Sequence, residues 1–133
     1  MSKIYFTLEE ANELLPTLEK ELAELQQLRK EFQYKSKQLK KIKESTFHHL
    51  QTETDSVFMK ESELEFLEIQ AQLHVYNIEA SGAQLKNIEM GLLDFPAIIQ
   101  GEEVLLCWKQ GESEITHFHG EDEGYTGRKP IDE

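Results

Sequence analysis

The sequence predicts an α+β chain that is predominantly helical, a long antiparallel helical hairpin packed on a small antiparallel β-sheet at its C-terminal end. Three observations lead there. Apolar residues recur at alternating threes and fours over residues 8–42 and again over 57–78, the a/d spacing of helices that pack on one another. Residues 29–43 carry seven Lys/Arg and only Glu31, while 53–68 carry six Asp/Glu and only Lys60, so a hairpin turning near residue 50 lays opposite charges side by side. After Gly82 the texture changes to short apolar runs punctuated by glycine, the pattern of strands and turns. One domain is expected over 1–133, divided into a hairpin (7–82) and a small sheet with an acidic tail (83–133).

Thr7 followed by Glu10 forms a Thr-x-x-Glu capping box, with Phe6 placed as a hydrophobic staple, so the first helix is expected from about residue 8. Its seam runs through Leu8, Ala11, Leu15, Leu18, Leu22 and Leu25, then steps irregularly through Leu28, Phe32, Leu39 and Ile42 as a local stammer. Pro16 removes one backbone donor inside this run and predicts a bend at residues 14–17. The polar segment 45–56, with His48 and His49, reads as the connection. Asp55 or Ser56 would cap the second helix, whose seam is Val57, Leu64, Leu67, Ala71, His74 and Ile78, and Gly82 would end it. In this register residue 20 faces residue 81. The helix before Pro16 therefore overhangs its partner, and its apolar face must cover the sheet.

Within the sheet, Leu92–Phe95 reads as a strand closing on Pro96, and Val104–Trp108 (VLLCW) as a central strand covered on both faces. Ile115–His119 returns antiparallel after a turn at Gln110 and Gly111, so the sheet has three strands, or four if residues 83–88 add one, and the tail from Gly120 is an acidic loop. A formal net charge of -12 and a pI near 4.8 disfavour nucleic acid and anionic membranes, which would be repelled at long range. A single Cys, no apolar run near the roughly 20 residues of a membrane span, and no charged-then-apolar leader lead us to expect a cytoplasmic protein.

The polar residues that could carry chemistry concentrate in the last third. His117 and His119 lie two apart and share one face of a strand, so with Glu121 and Asp122 they could ligate a divalent metal. The plainer reading is two solvated side chains on an edge strand. Arg128 is expected to tie down its own loop through Asp94 or Asp122, and Asp94, if buried, to need Arg128 or Lys86 as partner. Cys107 reads as an inert small hydrophobe with no base nearby, and His74 as a hydrogen-bonded seam residue that fixes register.

FTLEEANELLP at 6–16, GLLDFP at 91–96, LCW with GE at 106–112, and Ile115-x-x-x-His119 leading into GxxGRxPI at 124–131 together resemble the domain of unknown function 2203 family. The likeness implies a short, cytoplasmic, helix-rich protein without an assigned activity. Matching motif to motif places weight on Asp94, Pro96, Trp108, Glu112, His119, Asp122, Gly124, Gly127, Arg128 and Pro130. The family pattern has an aromatic residue where this chain has His117, which leaves His119 with the acidic residues as the better candidate set. The expected function is a non-enzymatic homodimeric module with a polar pocket formed by Asp94, Glu112, His119, Asp122 and Arg128, for a protein or small-ligand partner. Two alternatives stand beside it. One is a metal-dependent hydrolytic enzyme using His119 and neighbouring carboxylates. The other is a nucleic-acid adaptor working through the basic block 29–43.

Overall fold

The computed structural model describes residues 3–44 and 51–131, and for 51–55 the backbone alone. Helix α1 (Leu8–Glu44) and helix α2 (Gln51–Ala80) form the hairpin. Five strands follow: β1 (Gln84–Asn87), β2 (Leu92–Ile99), β3 (Glu102–Lys109), β4 (His117–His119) and β5 (Lys129–Pro130). They lie in chain order in one sheet with every neighbouring pair antiparallel. The expected fold class is the observed one.

The capping box closes both ways. The Thr7 N–H donates to Glu10 Oε1 at 2.8 Å and the Glu10 N–H to Thr7 Oγ1 at 3.1 Å. Phe6 is drawn into the sheet as well, its N–H donating to the Pro96 carbonyl at 2.7 Å and its ring meeting Phe95 edge-on at 5.4 Å. Helix α1 runs unbroken through Pro16, which lies on its exposed side, so the expected break at residues 14–17 does not form. The second helix starts earlier than the sequence suggests: Asp55 and Ser56 lie inside α2, so neither caps it. His48 and His49 fall outside the described residues. Helix α2 does end at Ala80, with Gly82 following in the left-handed region (φ 103°).

Charge complementarity appears as expected between the helices. Lys35 Nζ reaches Glu63 at 2.9 Å and Lys43 Nζ reaches Glu61 at 3.1 Å. Nearer the sheet, His74 Nδ1 lies 2.5 Å from Glu21 Oε2 while Asn77 Nδ2 donates to the same carboxylate, so Glu21 reads two positions of α2 at once and fixes the register. The His74 hydrogen bond holds the Glu21 carboxyl below its ordinary range despite partial burial.

Strand β2 passes through Pro96 instead of closing on it. Pro96 sits opposite Leu105, and its carbonyl points away from β3 to receive the Phe6 N–H. Its missing donor would have pointed the same way, so no β2–β3 bond is lost. The 83–88 segment supplies β1, and the sheet has five strands where three or four were expected. The tail is more ordered than a loop: it forms a 3-10 turn (Tyr125–Gly127) and pairs β5 with β4.

The inner face of the sheet (Leu93, Phe95, Ala97, Val104, Leu106, Trp108) packs with Ala11, Leu15, Leu18, Leu22 and Leu25 of α1 and Ile78 of α2 in one buried cluster. The overhanging part of α1 therefore covers the sheet. Asn12 adds a polar pin, its Oδ1 accepting the Ile115 N–H at 2.8 Å. Leu22 is 0 % exposed in this cluster, so Leu22→Ala should lose about 2 to 5 kcal/mol of unfolding free energy by creating a cavity between helix and sheet. Urea denaturation followed by circular dichroism would measure it.

Candidate functional site

The outer face of the sheet is built by register. In β2 and β3 Asp94 stands opposite Cys107, and in β3 and β4 Cys107 stands opposite His117 and Leu105 opposite His119. Side chains alternate along a strand, so Asp94, Cys107, His117 and His119 all face away from the helices. Asp94, Cys107 and His119 are 2 %, 1 % and 3 % exposed, and their ligand atoms all lie within 4.8 Å of one another. The expected polar pocket is therefore a packed network in which these three side chains do not open on solvent.

His119 Nε2 lies 3.0 Å from Asp94 Oδ2, and His119 Nδ1 lies 2.8 Å from the Gly120 carbonyl. A carbonyl only accepts, so Nδ1 carries a proton. The contact to Asp94 then holds one further proton between Nε2 and Oδ2, giving either an ion pair or two neutral partners. Burial pushes the Asp94 carboxyl upward, opposed by the positive fields of His119 and Lys86. The partner of Asp94 is thus His119, where the sequence suggested Arg128 or Lys86.

Cys107 sits between this pair and a second one. Burial, reinforced by the Asp94 charge and opposed by Arg128, pushes its thiol up to about 11. Strand register does bring a histidine close to it, contrary to expectation. His119 itself is turned to Asp94 and the Gly120 carbonyl, and the charged groups that act on the thiol are Asp94, which raises it, and Arg128, which lowers it.

Arg128 does not reach Asp94 or Asp122. It makes a bidentate pair with Glu112, Nη2 to Oε2 at 2.8 Å and Nη1 to Oε1 at 3.2 Å, and its guanidinium lies 4.5 Å from the Tyr125 ring centroid. Glu112 also receives the Lys109 N–H at 2.8 Å, while its backbone carbonyl takes the indole N–H of Trp108 at 2.8 Å. One residue thus closes the turn after β3, anchors the core Trp and ties down the tail.

Of the five expected binding residues, four fall in these two adjoining pairs, Asp94–His119 and Glu112–Arg128. Asp122 is exposed at the turn after β4. Of the expected metal ligands, His119 is in the buried cluster, His117 contacts Thr116 Oγ1 at 2.8 Å, and Glu121 pairs with Lys3. Among the described residues two sets of three donors converge closely enough for a metal, Asp94–Cys107–His119 and Glu21–Glu24–His74, and neither contains His117, Glu121 or Asp122. Cys107 is the member that the sequence reading passed over. The signal for it was the Gln100–Gly101 turn, which sets the β2–β3 register and so the position opposite Asp94.

The Glu112–Arg128 pair makes a pH-dependent contribution. Burial alone would raise the Glu112 carboxyl, but Arg128 and the Lys109 N–H outweigh it and hold it below the ordinary value of 4.5. A depressed folded-state value stabilises the fold above the unfolded-state value and loses that contribution as pH falls through the folded one. Glu112→Gln should therefore cost about 1 to 2 kcal/mol at pH 7 and progressively less below pH 4.5. Urea titrations at a series of pH values would show the two stability curves converging in acid.

A family model described as an uncharacterized conserved protein (DUF2203) matches residues 4–131. Among curated proteins and among solved structures nothing matches. No described helix is long and apolar enough to cross a membrane. With a match running from the first residues before α1 to the end of the tail, the chain belongs to the DUF2203 family.

Proposed function

We propose that this protein is a homodimeric helical-hairpin module, a binding or interaction protein whose two copies associate through α2. One observation carries the reading. Besides the seam that packs on α1, α2 bears a second apolar stripe in which Phe58, Met59, Phe66, Ile69, Leu73 and Tyr76 are 57 to 67 % exposed. Met59, Phe66 and Leu73 follow one another at sevens, and Ile69 and Tyr76 do the same three residues later, which is an a/d heptad pattern. A helix with two such faces is suited to the interior of a larger bundle.

A second copy is the occupant that the pattern fits. Pairing the two α2 stripes antiparallel about a two-fold axis sets Met59 against Tyr76, Phe66 against Ile69 and Leu73 against Ser62. At the margins it sets Glu65 against Gln72 and Glu63 against Gln70, so no carboxylate meets another. That avoidance matters in a chain of net charge -12. Burying the stripe would remove on the order of 1,000 Å² from water across the pair, near the lower end for a stable interface.

Light scattering at micromolar concentration should return the mass of a dimer. Ile69→Glu together with Leu73→Glu should return a monomer with unchanged far-ultraviolet circular dichroism, because both side chains lie outside the buried core. A monomeric mass for the unaltered protein would overturn the proposal.

A further inference from the structure

We infer that Asp94, Cys107 and His119 form a zinc-binding site on the outer face of the sheet, independent of how the helices associate. Three neighbouring strands each contribute one donor, a carboxylate oxygen, a thiol sulfur and an imidazole nitrogen. The three are almost wholly buried and converge to within 4.8 Å. This set of one hard, one intermediate and one soft donor suits Zn²⁺. It is a poor match for Mg²⁺ or Ca²⁺, which take oxygen ligands. Bond lengths of about 2.0 to 2.3 Å place tetrahedral donors roughly 3.3 to 3.6 Å apart, so the 3.0 Å between His119 Nε2 and Asp94 Oδ2 need open only slightly.

Two further features point the same way. The Nδ1–H of His119 is anchored on the Gly120 carbonyl at 2.8 Å, which directs Nε2 at Asp94 and Cys107. This is the orienting hydrogen bond that zinc-binding histidines characteristically make. Charge also balances without any other group moving. Zn²⁺ entering the site displaces the thiol proton of Cys107 and the single proton shared by Asp94 and His119. Two positive charges arrive and two leave, so the buried site keeps the same net charge. Of the two cations near the site, Arg128 is already compensated by Glu112, which leaves Lys86, whose field also reaches Asp94, as the one facing the ion. Three protein ligands leave the fourth position of a tetrahedron to a water that enters with the ion.

The test uses the full chain freed of metal by chelation and titrated at pH 7 with Zn²⁺, and in parallel with Co²⁺ as a spectroscopic probe. The expected result is one ion per chain, two protons released per Zn²⁺ in weak buffer, and a thiolate-to-cobalt charge-transfer band. Cys107→Ser, close in size, should abolish that band and weaken binding by about 100-fold or more. His117→Ala should leave band, stoichiometry and proton release unchanged, since His117 lies outside the set. If His119→Ala does not fold, the Cys107→Ser result stands on its own. No stoichiometric binding, a cobalt spectrum without the thiolate band, or the same spectrum in Cys107→Ser would overturn the site.

Discussion

The two-residue turn at Gln100–Gly101 fixes how β2 and β3 meet, and the two faces of the sheet depend on that register. Both residues adopt positive φ, 52° and 81°, as the hairpin turns that match strand twist require. With Ile99 set opposite Glu102, the pairing runs back to Leu92 against Lys109 without a slip. Phe95, Leu93, Leu106 and Trp108 then point at the helices while Asp94 and Cys107 point away. A shift of one residue would reverse the faces of one strand against the other, turning either Asp94 in among the leucines or Trp108 out of the core.

Asp94, Cys107 and His119 are buried although they face away from the helices, and the tail folds back on that side of the molecule. Glu123 receives the Gly120 N–H at 2.8 Å, the Ile131 N–H bonds the Thr116 carbonyl at 2.9 Å, and Arg128 reaches back to Glu112. From the other side the N-terminal residues contribute Lys3 to Glu121 and Tyr5 to Glu103. The glycines and acidic residues that read as a solvated loop are thus part of a laced segment. Its order comes from side chain–backbone bonds that carry no periodic signal.

Helix α2 joins the two ends of the molecule. One of its faces meets α1 through Leu67, Ala71, His74 and Ile78, and Ile78 is fully buried in the core shared with the sheet. Its opposite face holds the exposed aromatic and aliphatic stripe. The two faces are close to opposed, so the apolar residues nearly encircle the helix, and a search for a single seam finds the inner one and passes over the outer.

The sequence by itself determined the hairpin, its start at the Thr7–Glu10 box, its stop before Gly82, the charge pairing of its arms and a sheet beyond it. Each of these is governed by residues close together in the chain or by a repeat that local geometry enforces. It also marked Asp94, Glu112, His119, Asp122 and Arg128, Asp94 because a carboxylate beside an apolar run needs a partner and Glu112 through the family resemblance alone. Only the tertiary structure decided which partners they take, that Pro96 lies within a strand, and that Cys107 stands between Asp94 and His119. Those outcomes rest on strand register and on a tail that folds back, which bring together groups 12 to 25 positions apart in the chain. Residue spacing along a strand records which face a side chain takes, but not what stands opposite it.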